Sequence, residues 1–310
     1  MLAIQTFGLS RHFGKTAAVE DLTLGVQAGE VLGFLGPNGA GKTTTIRILA
    51  GMIAPTKGYA MVAGHRTDRD VEQLHEVIGV LTETPGFYNR LSAKRNLEYF
   101  AGFYSSIDSP SRQVEKYLRL MGLWERCDDK VGTFSKGMKH RLALARALVH
   151  EPEVLFLDEP TAGLDPEAAA EVRELIRRLG KEGTTIVLST HNLTEAEMLC
   201  SRIAVLHTKL LALDAPDRLR QRFFRRRLVV QLEASNAQVV RAVGELPFVQ
   251  EVREEGTKLI MELTDPERSR PELVKAIVDA GGRVVAVSEK QYPLEEVYLR
   301  LLHAEPADDS

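Results

Sequence analysis

The 310-residue chain has only two cysteines, Cys127 and Cys200, far apart and in no CxxC or other metal-ligand spacing. That excludes a disulfide framework or a cysteine-built zinc site and suits reduced thiols in a cytosolic protein. No apolar run approaches the roughly 20 residues that a helix needs to span a bilayer. The opening Met1-Leu2-Ala3-Ile4-Gln5 lacks the basic and apolar regions of a secretory signal. Acidic and basic residues nearly balance at a net charge of −3, so no global positive field points to nucleic acid. Neither a repeat nor a low-complexity tract is present. What remains, 44% apolar and 27% charged, is the composition of a soluble globular protein, with length enough for two domains.

Residues 36–43, Gly-Pro-Asn-Gly-Ala-Gly-Lys-Thr, fit the phosphate-binding pattern GxxxxGK[ST] without a mismatch. Glycines at 36, 39 and 41 permit backbone angles closed to other residues and let amides approach a phosphate closely. Those amides open a helix, where the dipole adds positive character. Lys42 can reach the β- and γ-phosphates, and the Thr43 hydroxyl can ligate Mg²⁺. An apolar strand, Val31–Leu35, leads in, and a helix over Thr44–Ala50 leads out to Gly51. The chain is therefore expected to bind a nucleoside triphosphate.

Around this loop the pattern alternates between strands and helices. Strands are expected at Leu2–Leu9, Leu22–Val26, Tyr59–Ala63 and Val77–Leu81. Residues 92–122 carry apolar side chains at helical spacing (Leu97, Phe100, Ala101, Tyr104; Val114, Tyr117, Leu118, Met121) and form a helical insertion. Strands then return at Val154–Leu157, Thr185–Ser189 and Arg202–Leu206, separated by helices at Pro166–Leu179 and Leu193–Cys200. Such alternation implies a largely parallel sheet covered by helices. Near residue 218 the composition changes: Arg218, Arg220, Arg222, Arg225, Arg226 and Arg227 crowd into ten residues. Beyond them a βαββαβ order plus a final helix, from Leu228 to Leu302, suits a ferredoxin-like module. The expected layout is a first domain over 1–217, its helical part about 84–134, an arginine-rich linker over 218–227, an α+β domain over 228–303 and a frayed tail over 304–310.

Three further clusters narrow the chemistry. Val154-Leu155-Phe156-Leu157-Asp158-Glu159 is an apolar strand ending in two carboxylates, at the sheet edge where open α/β folds bind ligands. Asp158 can hold Mg²⁺ and Glu159 can act as general base on an attacking water. Read alone, the pair also fits a simple strand cap. Ser135 and Gly137 stand at the start of an apolar-periodic helix, again an anion-binding arrangement. His191 closes the strand after the acidic pair, where a third phosphate contact would sit.

In order and spacing, residues 1 to about 215 resemble the ATP-binding subunit of an ABC transporter. The resemblance implies a P-loop NTPase cassette: a RecA-like α/β core, an antiparallel β subdomain and a helical subdomain. It implies ATP and Mg²⁺ as ligands and two cassettes sandwiching two ATP molecules head to tail. Gly36, Pro37, Asn38, Gly39, Ala40, Gly41, Lys42, Thr43 and Thr44 would hold one ATP, and Phe13 would stack on its adenine. Ser135, Lys136, Gly137 and Met138 match the signature loop that contacts the ATP of the other subunit. Asp165 matches the dimer-interface loop and His191 the switch residue. Metal ligation falls to Thr43, Asp158 and the residue of the lid loop. Two departures stand out. The signature Leu-Ser-Gly-Gly-Gln is Phe-Ser-Lys-Gly-Met here, and the lid-loop glutamine is Glu83. A carboxylate still offers Mg²⁺ a hard oxygen, so Glu83 is expected to ligate the metal and to couple the site to a membrane subunit.

The C-terminal module and the Ser-Lys-Gly-Met signature resemble the multidrug or sodium efflux branch. The implied partners are a second copy of the cassette or a related one, and a separately encoded permease that receives the surface around Thr84–Arg90. That places the protein on the cytoplasmic face of the membrane. A soluble ATPase acting on ribosomes or DNA is the alternative, favoured only by the arginine cluster, which Phe223 and Phe224 interrupt. The C-terminal module could instead sense a ligand, though no convincing site appears within 228–303. The substrate does not follow from the cassette.

Overall fold

The computed structural model describes residues 1–303 other than Arg225, Ser235 and Gln291, so the expected tail lies outside the described residues, as does Arg225 of the arginine cluster. The chain divides into two compact units with the boundary between Pro216 and Asp217.

In the first unit the opening alternation runs further than expected. Strands β1 (Leu2–Phe13) and β2 (Thr16–Gln27) form one long hairpin in which Phe13 faces Thr16 across the turn. Strand β3 (Val31–Leu35), buried at all five positions, feeds helix α1 (Lys42–Leu49). Strands β4 (Lys57–Val62) and β5 (His65–Arg66) complete an antiparallel sheet of order β2-β1-β4-β5. Helix α2 (Val71–Val77), not expected, runs straight into β6 (Ile78–Leu81). The helical insertion holds α3 (Ala93–Ala101), N-capped by Ser92, and α4 (Pro110–Leu120), with its proline in the first turn.

Helix α5 (Lys136–Leu148) follows Ser135, its N-cap, and returns the chain to the core. Then come β7 (Val154–Asp158), α6 (Pro166–Lys181), β8 (Thr185–Thr190), α7 (Leu193–Leu199), β9 (Arg202–His207) and β10 (Lys209–Asp214). The second sheet has the order β10-β9-β3-β8-β7-β6, parallel except for the edge strand β10. Its central strands are continuous apolar runs, as strands covered on both faces must be. Leu32, Phe34, Phe156 and Val187 pack in one core with Ile46 and Leu49 of α1 and with Ile4 and Val62 of the antiparallel sheet.

A buried ion pair ties this unit together. Arg202 donates to both carboxylate oxygens of Glu30 (2.6 and 3.0 Å) and to the Gly25 carbonyl (2.6 Å). Glu30 also accepts from the Gln27 amide at 2.7 Å. The Glu30 side chain is 7% exposed and that of Arg202 30%, so removing the cation strands a carboxylate in a nearly dry place. Arg202→Met is expected to lower the unfolding free energy by about 1–3 kcal/mol, the partly exposed arginine keeping the loss below that of a fully buried pair. Denaturant titration checks this, and an unchanged midpoint would show the pair to be idle.

Helix α8 (Pro216–Phe223), which begins at the last residue of the first unit and otherwise belongs to the second, occupies most of the stretch expected to be a linker. Proline suits a first helical position and arginine is a good helix former; Leu219 is buried, and Arg220 donates to Asp217 at 2.7 Å. The module follows as β11 (Arg227–Leu232), α9 (Ala237–Gly244), β12 (Val249–Glu255), β13 (Lys258–Leu263), α10 (Pro266–Asp279), β14 (Val284–Glu289) and α11 (Leu294–His303). The helix expected from Pro271 begins at Pro266, because Asp265 accepts from the Arg268 amide and caps it one turn earlier. The antiparallel order β12-β13-β11-β14 is the ferredoxin-like one. Leu228, Val230, Leu259 and Met261 pack there against Val239, Val243, Leu273 and Ile277 of the helices.

Candidate active site

Strand register builds the site. Leu35 lies opposite Thr190, Asp158 opposite Ser189, and Leu81 opposite Leu157. The chain leaving each strand therefore emerges at one sheet edge: the phosphate loop after β3, Glu83 after β6, Glu159 after β7 and His191 after β8.

The phosphate loop depends on its glycines. Gly41 has φ +95°, and a Cβ there would stand 2.3 Å from the Ala18 carbonyl oxygen. At Gly36 a Cβ would stand 2.4 Å from the Leu206 carbonyl oxygen. Lys42 is 6% exposed and its ammonium donates to the carbonyls of Gly36 (2.7 Å) and Pro37 (3.1 Å), so its charge is held inside the loop. Burial draws the Lys42 pKa below its ordinary value, while the carboxylates of Glu159 and Asp158 oppose that shift.

Asp158, 4% exposed, ends β7 with one oxygen accepting two hydroxyl donors, Thr43 at 3.0 Å and Ser189 at 2.5 Å. A threonine hydroxyl and a carboxylate in contact beside a phosphate loop are hard oxygen donors of the kind Mg²⁺ takes. Among the described residues no group of three or more His, Cys, Asp or Glu is gathered around a metal position.

Glu159 has φ +50°, a left-handed backbone that costs a non-glycine residue about 1–2 kcal/mol. Its amide donates to both the carbonyl (3.2 Å) and the hydroxyl (3.0 Å) of Ser189, which holds the strained turn. Its carboxylate lies 3.0 Å, by either oxygen, from Nδ1 of His191; in the tautomer protonated there, the imidazole donates to it. Strain of this kind gathers where a reacting group must be aimed.

One cleft of about 430 Å³ unites most of the expected residues: Phe13, the loop from Pro37 to Thr44, Glu83, Glu159 and His191 all line it. Gly36 and Asp158 support it from beneath, through Lys42 and Thr43. Ser135, Lys136, Gly137, Met138 and Asp165 do not line it. Ser135 caps α5 by accepting from the Met138 amide (3.2 Å), and Asp165 caps α6 by accepting from the Ala168 amide (2.9 Å). The Lys136 ammonium lies against the backbone of Gly163, 2.0 Å from where a Cβ would stand.

The structure adds residues that sequence reasoning passed over. Glu195 of α7, 3% exposed, accepts from Thr161 (2.7 Å) and Thr190 (2.9 Å), joining the chain beyond Glu159 to the chain before His191. An acid on the buried face of a short helix was its available signal. Arg146 of α5 donates to the Gly86 carbonyl at 2.7 Å and lies over the rings of Phe87 and Phe100, tying α5 to the loop after Glu83. Arg11 lies over the ring of Phe13.

The folds and the cleft define a P-loop nucleotide-binding cassette with a small α+β companion. Known proteins agree. The ABC transporter family profile matches residues 19–162, and the profile described as "ATP-binding protein DrrA1-3-like, C-terminal domain" matches residues 215–302. The bacitracin transport ATP-binding protein BcrA of Bacillus licheniformis is 36% identical over 96% of this chain and 97% of its own. The Nod factor export ATP-binding protein I of Rhizobium sp. (strain N33) is 35% identical over 97% of each. A solved ATP-binding subunit of an ABC transporter superposes with a TM-score of 0.66 at 31% identity, covering 71% of this chain and 93% of that one. The chain belongs to the ATP-binding proteins of ABC transporters, and it is an ATPase.

Proposed function

We propose that this protein is the motor of an exporter, acting as a dimer of cassettes on a separate permease at the cytoplasmic face of the membrane. The observation that carries this reading is the composition of the cleft: it holds phosphate loop, base and switch histidine, but none of Ser135–Met138. A second copy or a related cassette, presented head to tail, would supply them. Phe13 would take the adenine, and the loop amides and Lys42 the phosphates. Glu159 would accept the proton of a water whose oxygen attacks the γ-phosphorus, releasing ADP, while His191 orients that carboxylate and meets the γ-phosphate. Thr43, Asp158 and Glu83 would hold Mg²⁺, which when bound neutralises charge on the phosphate oxygens.

Among the described residues no helix is long and apolar enough to cross a membrane. A groove of about 580 Å³ beside the loop after Glu83, walled by Met52, Phe100, Phe103, Tyr104 and Arg146, is suited to a helix of that permease. The Nod factor export and fluoroquinolones export names of two relatives support transport outward. Affinity-tagged protein purified from membranes is expected to bring a membrane protein with it; ribosomes or DNA in its place would overturn the reading. Glu83→Ala is expected to weaken Mg²⁺ activation of the ATPase about tenfold, near the energy of one charged contact. Unchanged Mg²⁺ dependence would remove Glu83 from the metal.

A further inference from the structure

Phe13 is 51% exposed at the mouth of the nucleotide cleft, where a lone phenyl ring on a hairpin would be free to rotate. Arg11 stands two residues earlier on β1. Its guanidinium carbon lies 4.7 Å from the centre of the Phe13 ring. The arginine is itself anchored through Nη1, which donates to the Ala54 carbonyl at 2.8 Å, while its buried Nε has no hydrogen-bond partner. The neighbouring backbone is pinned to the same segment. The His12 amide donates to the Thr56 hydroxyl at 3.0 Å, and the Thr56 amide donates to the Ser10 carbonyl at 2.7 Å. A cation on one face of an aromatic ring holds it in place and leaves the other for a planar ligand.

We propose that Arg11 is a positioning residue for base recognition: it clamps one face of Phe13 so that the other is presented, already ordered, to the adenine of ATP. The proposal rests on the reading of Phe13 as the base platform. A preordered ring spares the binding step the cost of immobilising a side chain. Arg11 and Phe13 then act as one unit, and their effects fall on ligands that carry a base.

Equilibrium binding of ATP and of inorganic tripolyphosphate, which has the phosphates but no base, tests this on the full chain by calorimetry. Arg11→Met keeps an apolar stem and removes the planar cation. It is expected to weaken ATP about three- to tenfold and leave tripolyphosphate within about twofold. Phe13→Ala is expected to weaken ATP at least as much, and the double variant no more than Phe13→Ala alone. Equal losses for both ligands would make Arg11 a support of the loop rather than of the base, and no loss of ATP binding would also overturn the proposal. If Phe13→Ala leaves ATP binding unchanged, the base-platform reading fails first. Where tripolyphosphate binding is retained, it shows that the phosphate loop has folded.

Discussion

Glu159→Gln is expected to bind ATP within about threefold of the wild-type affinity and to hydrolyse it about 10²- to 10⁴-fold more slowly, the range for removal of a general base. Glutamine preserves the shape of the side chain and can still meet His191, whose Nδ1 lies 3.0 Å from both carboxylate oxygens. What it cannot do is accept a proton from water at neutral pH. The turn at Glu159 is fixed through its backbone, by the Ser189 carbonyl and hydroxyl, so the substitution does not release it. ATP should then hold two cassettes closed, and light scattering should show a dimer with ATP and a smaller species without it. Turnover at the wild-type rate would take the base role from Glu159.

Lys42→Ala is expected to weaken ATP binding about 10- to 100-fold, the energy of one or two charge-assisted hydrogen bonds to phosphate. The ammonium is nearly enclosed, anchored on the Gly36 and Pro37 carbonyls and flanked by Asp158 and Glu159. Removing it leaves Glu159 in the cleft and Asp158 beneath it without their compensating cation. Nucleotide-independent stability, read from the unfolding midpoint, distinguishes this from loss of fold. Unchanged ATP affinity would contradict the phosphate-loop account.

Legibility in the sequence followed how local each device is. The phosphate loop, Asp158, Glu159 and His191 could be read because each is a short pattern at the end of an apolar strand, and the sheet aligns those ends by itself. Strand β10 was missed because the turn before it rests on Thr208, with φ +64°, where no glycine or asparagine marks the reversal. Helix α2 was missed because it covers two turns, buries only Leu74, and passes into β6 without a break. Helix α8 was hidden by its own charge: six arginines in ten residues suggest a solvated linker until Leu219 is seen to be buried. The contacts of Glu195 with Thr161 and of Arg146 with Gly86 join residues 34 and 60 positions apart, and no local pattern announces them.

The central claim is that each cassette holds half of a site. Mixing two inactive variants tests it most directly: Glu159→Gln, which loses the base, and Ser135→Arg, which blocks the signature serine. In a mixed dimer one site inherits both defects. The other joins an intact Glu159 from one subunit to an intact Ser135 from its partner. ATPase activity of the equimolar mixture is therefore expected to rise well above that of either variant alone. Activity no greater than the mean of the two would contradict a site shared between cassettes.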